Sequence, residues 1–242
     1  MSPTALITRA RELWERLAGT GAEFTPALSV AASPQSRLCP PGWVGIVVIG
    51  GAVLATAPDD ATARHVQQAL DGLPADSLTD ADVLSQGLRV AEILGPATLA
   101  YLDPADFRPR PGDAGAQPLH PDDPGLRQLL LAADSADLEE SGMAEITSAA
   151  FAVVDHDRVV AAAGYRDWPC RTAHLCVLTS AAARGRGLAR AAASAAIAHV
   201  IREGKLPQWR AQPVASRRVA LTLGFRELGS QASIRLTDPP GG

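Results

Sequence analysis

The sequence predicts an α/β protein in two unequal parts, each built from β-hairpins interleaved with helices. Three observations carry this. Apolar runs flank short turn signals at Gly50-Gly51 and at His156-Asp157, and each pair of runs reads as a hairpin. A mostly apolar strand, 173–179, leads into "TSAAARGRGLARAAASAAIAHV" (179–200), a Gly/Arg turn followed by a long alanine-rich helix. Between the parts lies "PADFRPRPGDAGAQPLHPDDPG" (104–125), dense in Pro, Gly and Asp, which marks a linker or long surface loop. The expected boundary divides 1–115 from 116–242.

The elements follow in order. Leu6, Ala10, Leu13 and Leu17 stand at helical spacing, which predicts an amphipathic helix over 4–18. "GWVGIVVIGGAVLATAP" (42–58) is the first hairpin, and Asp59 or Asp60 caps a helix through "ATARHVQQALDGL". "SLTDADVLSQGLRVAEILG" (77–95) reads as one helix from near Thr79 to Gly95, and "ATLAYLD" (97–103) as a strand. In the second part "GLRQLLLAAD" and "SADLEESGM" read as short helices. "AAFAVVD" and "RVVAAAGYRDW" form the second hairpin, and "AHLCVLT" a central strand. After the alanine-rich helix, which ends near Arg202, come the strand "PQWRAQ", the helix "ASRRVALTLG" ended by Gly224, and two closing strands, "FREL" and "QASIRL".

Composition excludes several classes. Of 242 residues 47% are hydrophobic and 20% charged, with a net charge of −4, which fits a soluble globular protein and gives no bulk attraction to nucleic acid. No apolar run reaches the roughly 18 residues of a membrane span. The N-terminal segment lacks a signal-peptide core and reads as an ordinary helix. Cys39, Cys170 and Cys176 are odd in number and lack CxxC spacing, which argues against a disulfide framework or a zinc site and for a reducing cytoplasm. Arginine replaces lysine everywhere except Lys205, and with the alanine excess this reflects a GC-rich genome.

The Gly/Arg turn carries the chemistry. The first N–H groups of a helix have no internal partners, and the dipole makes that end positive. An anion, above all a phosphate, is the natural occupant. Gly185 and Gly187 let the backbone approach it, and Arg184 and Arg186 add charge and donors, so the turn reads as a diphosphate cradle. A plain turn before a helix is the commoner meaning of such glycines. A P-loop is excluded because Gly-Lys-Ser/Thr is missing. A dinucleotide fingerprint is excluded because Arg190 stands where its third small residue belongs, and because the turn follows hairpins rather than opening a βαβ unit.

Arg184-Gly185-Arg186-Gly187-Leu188-Ala189 resembles the R-x-x-G-x-G/A signature of the GNAT superfamily of acyl-CoA-dependent N-acyltransferases. The strand ending "CVLT" lies where the family's fourth strand does, and "LPQWRAQPVASRRVALTLGFRELG" is similar to its next strand, helix and closing "LGF" turn. The resemblance covers about 116–237 and points to a bacterial subgroup with an extra N-terminal domain. It implies a GNAT-like mixed, mostly antiparallel sheet flanked by helices, preceded by a smaller α/β domain. By element order alone that domain is comparable to a degenerate GNAT-like half. Acetyl-CoA or another acyl-CoA is the implied co-substrate, with no metal. By the resemblance, the amides of Arg184, Gly185, Arg186, Gly187, Leu188 and Ala189 hold the pyrophosphate. Val177, Leu178 and Thr179 meet the pantetheine arm where the fourth and fifth strands part. Ser216 lines the far side of the CoA, a surface or capping serine being an equal reading.

Catalysis departs from the family's pattern. The fourth-strand carboxylate position is Ala173, the tyrosine position is Ala220, and the asparagine before the next helix is Pro213. The remaining candidates are His174, which alternation turns to the other face, and Glu145 acting through water. Glu139 and Glu140 lie near the same acceptor edge, Tyr165 and Trp168 read as core or pocket wall, and Cys176 as a buried apolar residue. Two functions follow: transfer of an acyl group to a small-molecule or peptide amine by direct attack, or an inactive acyl-CoA-binding sensor or partner module. Neither calls for nucleic acid or membrane. The N-terminal part supplies either the acceptor pocket or a homodimer surface.

Overall fold

An amphipathic helix opens the chain in the computed structural model, which describes residues 3–19, 21–109 and 115–237. In α1 (Pro3–Ala18) the side chains of Leu6, Ala10, Leu13 and Leu17 are buried, and Trp14 joins the same stripe. The chain divides into two compact units, Met1–Leu99 with Glu227–Gly242, and Ala100–Arg226. The Pro/Gly-rich stretch therefore lies inside the second unit, and the division falls earlier than the 115/116 boundary read from composition. Residues 110–114 of that stretch lie outside the described residues.

In the first unit β1 (Val30–Ala32), β2 (Val44–Ile49), β3 (Ala52–Ala57), β4 (Val90–Tyr101) and β10 (Arg226–Leu236) form a sheet in the order β1-β3-β2-β10-β4. The β2–β3 hairpin turns through Gly50 and Gly51, both at positive φ (56° and 74°), as a tight hairpin demands. Both strands are buried along their whole length because helices cover the sheet. α1 contacts β2 and β3, while α2 (Asp60–Leu70) and α3 (Ala81–Gly87) pack Val66, Leu70 and Leu84 against Val44, Ile46 and Val48. Asp59 caps α2, its carboxylate accepting from the Thr62 N–H at 2.8 Å.

Two expectations are corrected here. The helix expected through Gly95 ends at Gly87, and from Val90 the chain is extended in β4. Gly95 has φ 113°, a value no helix contains, and Pro96 has no N–H to offer one. The two closing strands are one, β10, paired antiparallel with β2 from Gly229↔Ile49 to Ile234↔Val44 in the first unit.

The second unit holds β5 (Gln117–Leu119), β6 (Ala150–Asp155), β7 (Arg158–Trp168), β8 (Thr172–Thr179) and β9 (Leu206–Ala211), ordered β9-β8-β7-β6-β5. Every pair is antiparallel except β8–β9, so β8 is interior, as its apolar composition predicts. α6 (Leu188–Arg202) covers one face, seating Ala192, Ala193, Ala196, Ile197 and Val200 against Tyr165, Leu175 and Trp209. Its alanines let the helix axis approach the strands closely. α4 (Pro124–Ala132) covers the other face with Leu126 and Leu129 beside Cys176 and Leu178, and α5 (Ser135–Ser141) contacts β8. α7 (Val214–Thr222) packs on β9. Asp123 and Asp134 cap α4 and α5 through their carboxylates.

Candidate functional site

The site begins where two parallel strands separate. Leu206 N–H bonds the Arg171 carbonyl at 2.8 Å, whereas Ser180 N–H bonds the Val160 carbonyl, on the β7 side, at 2.9 Å. Alternation then aims the amides and carbonyls of odd-numbered β8 residues at β9 and those of even-numbered residues at β7. The β8–β9 ladder runs only from Thr172↔Leu206 to His174↔Gln208. Beyond that rung the backbones of Val177 and Thr179 face a gap.

A cavity of about 500 Å³ occupies the gap and reaches the turn before α6. Leu175, Val177, Leu178 and Thr179 line it from β8, Trp209 and Arg210 from β9, and Asp137, Glu140 and Ser141 from α5. Arg184, Gly185, Gly187, Leu188, Ala189 and Arg190 close one end, and Pro213, Ser216 and Arg218 line the α7 side. The Thr179 hydroxyl oxygen is buried and has no hydrogen-bond partner among the described residues, which marks it as a group awaiting one.

The turn has the geometry its glycines suggest. Gly185 and Gly187 have φ of 76° and 77°, and a Cβ on either would meet nothing within 4 Å. The glycines are therefore required by the left-handed backbone, and they leave open space above it. Gly187 is the N-cap of α6 and places no side chain over the helix end. The amides of Leu188, Ala189 and Arg190 precede the first intrahelical bond, Ala191 N–H to the Gly187 carbonyl at 3.2 Å, and so have no intrahelical acceptor.

The two arginines of the turn are engaged elsewhere. Arg184 pairs with Asp137 of α5, and Arg186 with Asp155 at 2.9 Å. Arg186 does not line the cavity, in contrast to the other five residues of the motif. The Arg186 guanidinium is the largest cause holding the Asp155 carboxyl below the usual carboxylate range. Arg190 donates to the Arg108 carbonyl at 2.9 Å. Ser216 lines the cavity and accepts from the Trp209 indole N–H at 3.0 Å.

The two candidate catalytic residues lie apart from this wall. His174 is half-buried, stacked on Trp168 with ring centroids 4.4 Å apart. Its Nδ1 lies 2.5 Å from Gln208 Oε1, an acceptor, so Nδ1 carries the proton and Nε2 is the basic nitrogen. Burial pushes His174 down to about 3, the Arg210 and Arg166 charges add to this, and the Gln208 bond opposes it. His174 is thus neutral at physiological pH. Glu145 is exposed on a 3₁₀ turn at Met143–Glu145 and pairs with Arg166. Neither residue is among those lining the cavity. Tyr165 is buried and its hydroxyl meets His199 Nδ1 at 3.2 Å, a core role. Burial raises the Cys176 thiol to about 12, which keeps it from acting as a nucleophile.

Sequence reasoning missed Asp137, Arg190, Trp209, Arg210 and Arg218 as cavity residues, and it left Glu140 at the acceptor edge. Asp137 and Glu140 stand one turn apart on a capped helix, a spacing that puts both on one face. That spacing was the available signal. Among the described residues no group of His, Cys, Asp and Glu side chains is placed to hold a metal ion, and no helix is long and apolar enough to cross a membrane.

Residues 147–230 match the family model described as GNAT acetyltransferase. The matched segment runs from three residues before β6 into the first half of β10 and so contains the parted strands and the turn. No curated protein matches the chain. Among solved structures, a GNAT-family acetyltransferase from Novosphingobium aromaticivorans is 24% identical at a TM-score of 0.47, over 60% of this chain and 65% of that one. A GCN5-related N-acetyltransferase-like protein from Streptococcus suis is 17% identical, TM-score 0.49, over 96% of this chain and 99% of that one. A GCN5-related N-acetyltransferase from Kribbella flavida is also 17% identical at a TM-score of 0.49, covering 100% and 98%.

Proposed function

We propose that the second unit binds an acyl-CoA, acetyl-CoA in the first instance, and transfers its acyl group to an amine. The observation that carries this is the single cavity joining the unpaired backbone of Val177 and Thr179 to the uncapped amides of α6. A pantetheine arm is an extended amide chain, so it takes the place of the missing strand and bonds the β8 backbone. A diphosphate sits on the amides from Arg184 to Ala189. The Thr179 hydroxyl is a ready partner for a polar atom of the same arm. The walls carry Arg184, Arg190, Arg210 and Arg218 against Asp137 and Glu140, a balance suited to a polyanion.

The bound thioester supplies the activated acyl group. The protein holds its carbonyl beside β8, where a free amide stabilises developing negative charge, and positions the amine for attack. The nitrogen–carbon bond forms as the carbon–sulfur bond breaks. The proton leaving nitrogen passes to water, and the departing thiolate takes a proton from water to leave as the CoA thiol; neither His174 nor Glu145 lines the wall. The acceptor is a small-molecule or peptide amine, and the reaction belongs to the cytoplasm, where CoA thioesters are available.

Titration calorimetry with CoA and a free-thiol assay with acetyl-CoA and a panel of primary amines test the reading together. Binding with thiol release that depends on both amine and protein is the expected result. Absence of heat with millimolar CoA sinks it.

A further inference from the structure

Arg184 and Arg186 are equally exposed and each is paired with an aspartate, yet the two pairs differ in place. Arg186–Asp155 stands outside the cavity wall and braces the turn from the β6–β7 hairpin. Both members of Arg184–Asp137 line the cavity, one from the turn and one from α5. Asp137 is fixed in position, since its own N–H is held by the capping carboxylate of Asp134 at 2.8 Å. A carboxylate presents a guanidinium with two oxygens in a plane, as two phosphate oxygens do.

We propose that Asp137 is an internal competitor for the phosphate end of the cavity, occupying Arg184 when the acyl donor is absent and weakening the grip on CoA. The inference rests on the acyl-CoA reading above and adds a residue that sets donor affinity. An arriving diphosphate takes the Arg184 guanidinium from Asp137 and leaves that carboxylate beside it as an unpaired like charge. On release Asp137 recaptures Arg184. The cost falls on the bound state, so Asp137 shortens the residence of spent CoA. The family signature gives no hint of this, because Asp137 lies outside the matched segment 147–230.

Calorimetry and stopped-flow release of CoA from the wild type, Asp137→Asn and Asp106→Asn decide it. Asp106 pairs with Arg226 away from the cavity and controls for the loss of one negative charge. Asp137→Asn is expected to tighten CoA binding about 3- to 10-fold, mostly through slower release, with the gain shrinking at about 0.5 M salt. Asp106→Asn is expected to stay within about twofold of wild type, since Asp106 is not among the residues lining the cavity. Adding Arg184→Gln to Asp137→Asn is expected to cancel the gain. Equal or weaker binding by Asp137→Asn overturns the inference while leaving the acyl-CoA reading intact. So does loss of folding, by circular dichroism, in both Asp137→Asn and Asp137→Ser, because the carboxylate is then a strut. No heat from either wild type or Asp137→Asn removes the reading itself, and the inference with it.

Discussion

His174 and Gln208 form the last rung of the β8–β9 ladder and are also joined through their side chains, Nδ1 to Oε1 at 2.5 Å. The point where the strands part is therefore pinned by a neutral imidazole. Because the folded pKa is depressed to about 3, an unfolded chain takes up a proton near pH 6.5 that the folded chain refuses. The stability this group contributes is complete above about pH 6.5 and is lost as pH falls toward 3, by at most ~1.4 kcal/mol per pH unit. Urea denaturation of wild type and His174→Asn at pH 7 and pH 5 checks this. The wild type is expected to lose more stability than the variant over that interval.

Gly187 is the N-cap of α6 at φ 77° with open space where a Cβ would stand. A substitution there meets strain without a clash. Gly187→Ala is expected to cost ~1–2 kcal/mol, and Gly187→Asn less, because asparagine tolerates the left-handed region better. Thermal unfolding of the two variants ranks them. Equal losses would show that contact, not backbone conformation, sets the requirement.

Thr179 offers a way to separate stability from binding. Its hydroxyl is buried without a partner, so Thr179→Val removes an unsatisfied group at nearly constant shape. Apo stability is expected to hold or rise by up to ~1 kcal/mol. On the proposed acyl-CoA reading, CoA affinity is expected to fall several-fold, since the valine offers no hydroxyl to the pantetheine arm. Calorimetry paired with differential scanning on the same protein reads both. A variant that binds CoA as tightly as wild type shows that the hydroxyl faces no ligand.

Much of this was legible locally. Gly50-Gly51, Asp59, Asp123 and Asp134 announce their turn and caps because each signal acts within a few residues. The strand–turn–helix around 172–202 was readable for the same reason. Residues 88–95 misled, since Leu84, Leu88 and the apolar residues after them keep a helical period while β4's extended conformation is set by tertiary context. Gly229-Ser230 looked like a break between strands, yet β10 pairs through it with Ile49 and Val48. The cavity wall was least legible. Asp137 meets Arg184, and Glu145 meets Arg166, across separations that no spacing rule reaches. The partners of His174 likewise depend on β9 lying beside β8.

The end of α7 gives the strongest stability prediction. Gly224 follows the helix at φ 100°, and a Cβ built on it falls 2.0 Å from the Asp106 carbonyl oxygen. Backbone, not a flexible side chain, fills the space, so the clash cannot be relieved by a rotamer change. The neighbouring Phe225 and Leu223 are buried and pack with Trp209 in the same core, and Trp209 in turn donates to Ser216 on the cavity wall. Displacing the Gly224 backbone therefore disturbs both core and cavity. Gly224→Ala is expected to destabilise by more than ~3 kcal/mol, the range in which overpacking adds to backbone strain. Ser216→Ala, which strands only the Trp209 indole N–H, is expected to cost ~1–2 kcal/mol. Urea denaturation followed by tryptophan fluorescence measures both. If Gly224→Ala proves milder than Ser216→Ala, the contact between the α7 terminus and the Asp106 backbone does not hold this corner.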